Sequence, residues 1–136
     1  MGINKDLGLP FGDRMEKFVV AYDVDGTLIR HANRNIIQKH GESGKPYPYD
    51  AANLDVVEHL ILTSRIFKNV QVVVWSGGGK DYAQLWVERL LLTEFVWKVM
   101  GKLEYKQLLE TRRVIAIDDV QDTRLGDRAN LIVRNR

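Results

Sequence analysis

Apolar residues along this chain fall into short unbroken runs separated by longer amphipathic stretches. Residues 17–23 (KFVVAYD) are β-branched and aromatic and are bounded by turn residues, which predicts a buried strand. Residues 70–75 (VQVVVW) predict a second strand, 95–100 a short third, 114–118 (VIAID) a fourth and 131–133 a fifth. Helical spacing fills the intervals. Asp50 can cap a helix running to about Ile66, with Leu54, Val57 and Ile61 on one face. A second helix starts near Asp81, with Tyr82, Leu85, Trp86 and Leu90 as its apolar face, and residues 102–111 read as a third. Residues 30–50 are polar, contain Gly41, Gly44, Pro46 and Pro48, and predict a loop or flap.

Strands alternating with helices predict an α/β fold. Runs without polar alternation mark strands buried on both faces, hence a Rossmann-like three-layer sandwich around a mostly parallel sheet of about five strands. The 136 residues fit one domain over 17–136, preceded by an extension at 1–16 and carrying the insert at about 30–50. With 45% hydrophobic residues the domain can build its own core, so the lack of cysteine removes nothing it needs. No stretch approaches the ~20 apolar residues of a membrane span. The first fifteen residues contain no apolar run of the kind a secretion signal needs, and the expected location is cytoplasmic. The formal charge of +2 is only mildly basic. The basic residues recurring over 30–45 and 112–136 read first as solvated surface, and second as attraction for an anionic substrate, nucleic acid included.

In parallel sheets ligands bind at the carboxyl ends of the strands. The residues there are chemically rich. The first strand runs into Asp23-Val24-Asp25-Gly26-Thr27, and the second into Ser76 and the glycines 77–79. The fourth ends in Asp118-Asp119 with Asp122 close behind, and the third is followed by Lys102. Two carboxylates ~4 Å apart repel by about 4 kcal/mol at an effective dielectric near 20. Such crowding needs a cation or protons to offset it, and an all-oxygen ligand set without Cys selects a hard ion such as Mg²⁺, which commonly also holds substrate phosphate. Gly77 and its neighbours read as a backbone cradle for phosphate.

The aspartate motif after the first strand, Ser76 at the end of VQVVVW and Asp118-Asp119 after VIAI, in that order, resemble motifs one, two and four of the haloacid dehalogenase (HAD) superfamily, over roughly residues 17–134. The resemblance implies residue roles. Asp23 would be the nucleophile that forms an aspartyl-phosphate, and Asp25 the general acid and then base, its backbone carbonyl also ligating Mg²⁺. Thr27 would support the turn and orient Asp25, and Ser76 with the Gly77 amide would hold phosphoryl oxygens. Asp23, Asp25, Asp119 and Asp118 would form the metal site, with Asp122 ordering bound water. The third motif requires a lysine before the fourth strand; Lys102 fits best, with Lys98 and Lys106 as alternatives. The short insert resembles the capless branch, whose open site admits large substrates.

The function so implied is a Mg²⁺-dependent phosphomonoesterase acting on a polynucleotide, nucleotide or other phosphate ester, in a chain that needs no membrane and is free to form a homo-oligomer. A non-catalytic phosphate- or Mg²⁺-binding scaffold is the alternative. Trp75, Trp86 and Trp97 read as core or interface residues. His31, His40 and His59 read as surface residues, with His31 and Arg34 close enough to the first motif to reach substrate.

Overall fold

A computed structural model of the chain describes residues 18–31, 50–110, 112–119 and 125–134. The extension at 1–16, the interior of the insert with Arg34 and His40, and Asp122 lie outside the described residues. Strand β1 (Phe18–Asp23) is followed by a two-residue ribbon, β2 (Ile29–Arg30) and β3 (Ala51–Ala52), and by helix α1 (Leu54–Ile66). Strand β4 (Val70–Ser76) leads through the glycines to helix α2 (Lys80–Arg89). Then come β5 (Lys98–Gly101), a short α3 (Lys106–Leu109), β6 (Arg113–Asp118), a short α4 (Leu125–Arg128) and β7 (Leu131–Arg134).

Five strands form one parallel sheet in the order β5-β4-β1-β6-β7, as the apolar runs predict. The chain winds outward from β1 through β4 to β5, then returns to the other side of β1 as β6 and β7. The direction of winding therefore reverses at β1. In open α/β sheets that reversal leaves a crevice beyond the strand ends, and here the crevice opens at Asp23.

Alternation along β1 divides the core. Val20 and Tyr22, with Val72 and Val74 of β4, face Val56 and Leu60 of α1 and Tyr82, Ala83, Trp86 and Val87 of α2. Val19 and Ala21, with Val73, Trp75, Val114 and Ala116, face Leu108 of α3 and Leu125 of α4. Burial on both faces gives a three-layer sandwich. The Tyr22 hydroxyl is buried on the first face, where it donates to Thr63 Oγ1 at 3.0 Å and lies 2.7 Å from His59 Nδ1. Burial pushes its pKa up to about 12 although the Thr63 bond acts the other way.

Several local expectations change. Helix α1 starts three residues later than expected, with Asn53 rather than Asp50 at its N-cap. The cause is the ribbon: Ile29 pairs with Ala52 and Arg30 with Ala51, which keeps residues 51 and 52 extended. The buried face of α1 is Val56, Leu60 and Thr63, with Val57 and Ile61 partly buried, while Leu54 is 73% exposed in the first turn. Apolar residues at 54, 56, 57, 60, 61 and 62 allow more than one helical stripe, and the tertiary contacts choose between them. The 102–111 stretch divides into a 3₁₀ turn at Lys102–Glu104 and α3. Trp75 and Trp86 are core residues; Trp97 is exposed, with the Arg112 guanidinium 4.9 Å from its ring centre. Not every basic residue of the last quarter is solvated surface, since Arg128 is buried with its guanidinium 5.5 Å from the Tyr105 ring centre.

Candidate active site at the carboxyl edge of the sheet

Four strands deliver polar residues to the crevice. Asp23 ends β1, Ser76 ends β4, Lys102 follows β5, and Asp118 ends β6 with Asp119 next to it. All but Asp119 are buried. Lys102 Nζ lies 3.1 Å from Asp23 Oδ1 and 2.9 Å from Asp118 Oδ2. The Thr27 hydroxyl donates to Asp23 Oδ2 at 3.3 Å. Asp23, Asp118 and Asp119 each offer a carboxylate oxygen, and the three lie within 4.8 Å of one another.

Three acids gather around the Lys102 ammonium. Burial raises the Asp23 pKa well above the ordinary carboxylate range; the Lys102 charge opposes this, and Asp118 and Asp119 add to it. Lys102 shows the complement. Burial alone would lower its pKa, but the charges of Asp23 and Asp118 more than reverse that and raise it. The lysine is thus held firmly charged by the acids around it. These carboxylates fit a hard divalent cation: the donors are all oxygen, they converge, and their charge exceeds what Lys102 supplies.

The turn after β1 is built for this arrangement. Leu28 N–H donates to Asp23 O at 3.3 Å and Ile29 N–H to Val24 O at 3.1 Å, folding residues 24–28 back on the strand. Asn53 ties the turn to α1, its Nδ2 donating to Thr27 O at 3.0 Å. Gly26 has φ +78°, and a Cβ there would overlap the Asp119 carboxylate, 2.9 Å from its Cγ. Gly26→Ala is therefore expected to lower stability by about 1–2 kcal/mol through the left-handed backbone alone. It should also displace Asp119, so a thermal melt with and without Mg²⁺ should show a lower melting temperature and a smaller rise on adding the ion.

Asp25 stands apart. Its carboxylate is absent from the acidic group around Lys102. Tyr82 of α2 donates its hydroxyl to Asp25 Oδ1 at 2.6 Å, and His31 Nε2 lies 3.1 Å from the same oxygen. His31 Nδ1 lies 2.6 Å from Asp50 Oδ1. The Tyr82 pKa is raised by burial first and then by its bond to Asp25 and that residue's charge.

Most sequence-derived residues thus meet, with corrections. Lys102 is the lysine at the acids; Lys98 sits beside the exposed Trp97, 5.8 Å from its ring centre, and Lys106 is exposed on α3. Thr27 bonds Asp23 rather than orienting Asp25. Ser76 Oγ accepts the Gly78 amide at 2.9 Å, and Gly77 is exposed with open space where a side chain would stand. The surface reading of His31 is wrong, since its side chain is only 2% exposed. Asp50 is its partner and not a helix cap. Sequence reasoning missed this group because nothing in the spacing of residues 25, 31, 50 and 82 shows that they meet. The one available signal was a tyrosine in the first turn of a helix that starts at the sheet's carboxyl edge.

Comparison with protein-family models, with curated proteins and with solved structures finds no match. Among the described residues no helix is long and apolar enough to cross a membrane.

Proposed function

We propose that this chain is a phosphomonoesterase of the haloacid dehalogenase type, with Asp23 as nucleophile and Asp25 as the proton carrier. The observation that carries the reading is the contrast between two carboxylates in one turn. Asp23 is buried against Lys102 and two further acids; Asp25, two residues on, is excluded from that group and bonded to Tyr82 and His31. Unlike environments for neighbouring acids mark a division of roles.

In the reaction an Asp23 oxygen attacks phosphorus as the ester P–O bond breaks. Asp25 gives its proton to the departing alcohol, then takes one from the water that splits the aspartyl-phosphate. Lys102 holds Asp23 in place and offsets charge on the transferring group. Thr27 fixes the second Asp23 oxygen. A bound Mg²⁺, held by Asp23, Asp118 and Asp119, would supply further charge neutralisation where an anion attacks an anion.

The test is phosphate release from a panel of an aryl phosphate, sugar phosphates, nucleotides and 3′-phosphorylated oligonucleotides. Release is expected with Mg²⁺ and is expected to stop in EDTA. Activity confined to oligonucleotides and falling steeply with salt would assign a nucleic-acid substrate. No release across the panel, with Mg²⁺ still raising the melting temperature, would sink the enzymatic reading in favour of a non-catalytic binding protein.

A further inference from the structure

We propose that His31, braced by Asp50, is a positioning residue for Asp25, and that with Tyr82 it occupies one carboxylate oxygen so that the other carries the transferred proton. The inference rests on the reading of Asp25 as the proton carrier. Two residues from separate elements reach this carboxylate, and a third braces one of them. Tyr82 comes from the first turn of α2, His31 directly follows β2, and Asp50 directly precedes β3.

The ribbon explains why His31 meets Asp50. Ile29 pairs with Ala52 and Arg30 with Ala51, so the pair next in register is His31 and Asp50. The side chains of both are 2% exposed, whereas that of Asp25 is 32% exposed. The imidazole is thus fixed inside the protein with one nitrogen on each carboxylate, and Asp25 alone reaches solvent. An imidazole held through one nitrogen has little freedom to turn, which makes the other a directed partner.

Asp25 Oδ1 receives the Tyr82 hydroxyl at 2.6 Å and faces His31 Nε2 at 3.1 Å. With a proton on each ring nitrogen, His31 donates from Nδ1 to Asp50 and from Nε2 to Asp25; Asp25 Oδ1, which also accepts from Tyr82, is then saturated, and a proton on the carboxyl group resides on Oδ2. When the ester bond breaks, the Oδ2–H bond breaks with it and the alcohol leaves neutral. In the second step the attacking water returns a proton to Oδ2. A carboxyl group free to rotate would present the correct oxygen only part of the time, and orientation of this kind is a recognised share of catalytic power.

The experiment compares kcat/KM for an alkyl phosphate, whose alcohol must be protonated as it leaves, with kcat/KM for 4-nitrophenyl phosphate, whose phenolate leaves unaided. The ratio of the two is independent of the fraction of correctly folded enzyme. Tyr82→Phe and His31→Leu are each expected to shift the ratio about 10- to 100-fold against the alkyl ester, part of the ~10²–10⁴ a positioned acid supplies. His31→Gln, which retains an N–H of similar reach, is expected to recover most of that shift. An unchanged ratio in both Tyr82→Phe and His31→Leu overturns the proposal, and if His31→Leu does not fold, His31→Phe takes its place in the comparison. Asp25→Asn separates the two levels. A shifted ratio there, with none in the His31 and Tyr82 variants, removes only the positioning role. An unshifted ratio in Asp25→Asn removes the proton-carrier reading and the proposal with it.

Discussion

Asp23→Asn is expected to lower phosphate release by about 10⁴–10⁶-fold, the scale seen when a catalytic nucleophile is removed, and yet to raise the melting temperature of the protein in EDTA. The two effects have one cause. Asp23 is buried at the end of β1, beside Asp118 and Asp119, and its pKa is raised by burial and by those acids against the pull of Lys102. The folded protein therefore holds the Asp23 proton more tightly than the unfolded chain does. The associated stability is fully present below the ordinary carboxylate range and is lost as pH rises from there through the raised value. An ionised Asp23 is a burden on the fold. Asparagine removes the charge and keeps the shape, with an oxygen for Lys102 and an amide for the Thr27 hydroxyl. The gain should be on the order of 1 kcal/mol, about 3–5 °C for a domain of this size. Melts in EDTA from pH 4 to 9 should fall with pH for the wild type and stay flatter for the variant, and Mg²⁺ should narrow the gap. A variant that melts below the wild type in EDTA would refute this account of the site.

That trade explains why the fold and the acids were legible in the sequence while other parts were not. A strand buried on both faces carries redundant signal: β1, β4 and β6 are nearly unbroken apolar runs, and any one substitution would leave the pattern readable. Once the strands are placed, the carboxyl-end rule brings Asp23, Ser76, Lys102 and Asp118 together without further information. The ribbon has no such redundancy. It is two residues against two, Ile29 and Arg30 with Ala51 and Ala52, too short for any period to show. Everything that depends on it was missed in turn: the late start of α1, the exposure of Leu54, and the burial of His31 against Asp50. Aspartate is mostly exposed by type and histidine intermediate, so their burial follows from pairing and cannot be read from composition. Lys102 lay between these cases. Its position after β5 was visible, but only the distances to Asp23 and Asp118 separate it from Lys98 and Lys106.

Lys102→Met should then give the largest loss of stability of any single change at the site. The side chain is buried, and methionine matches the length of its stem, so packing is largely kept and charge is what is lost. Removing one partner of a buried pair leaves an uncompensated charge and typically costs about 3–5 kcal/mol. Here one lysine serves two carboxylates, at 3.1 and 2.9 Å, so the variant leaves Asp23 and Asp118 facing each other and Asp119 without the Lys102 ammonium between them. In the wild type the Lys102 pKa is raised, so its contribution is fully present below the ordinary lysine range and is lost only as pH rises through the raised value. The deficit of the variant should accordingly span neutral pH. It should shrink in acid, where protons take the place of the ammonium, and shrink again on adding Mg²⁺. Adding Asp23→Asn to Lys102→Met should restore part of the stability, since the second change removes one of the stranded charges. The part of that recovery that exceeds the gain from Asp23→Asn alone is the coupling between the two residues, read from a double-mutant cycle of thermal melts in EDTA. Strict additivity of the two changes would mean that the 3.1 Å contact carries no energy, and the charge balance proposed for the crevice would fail with it.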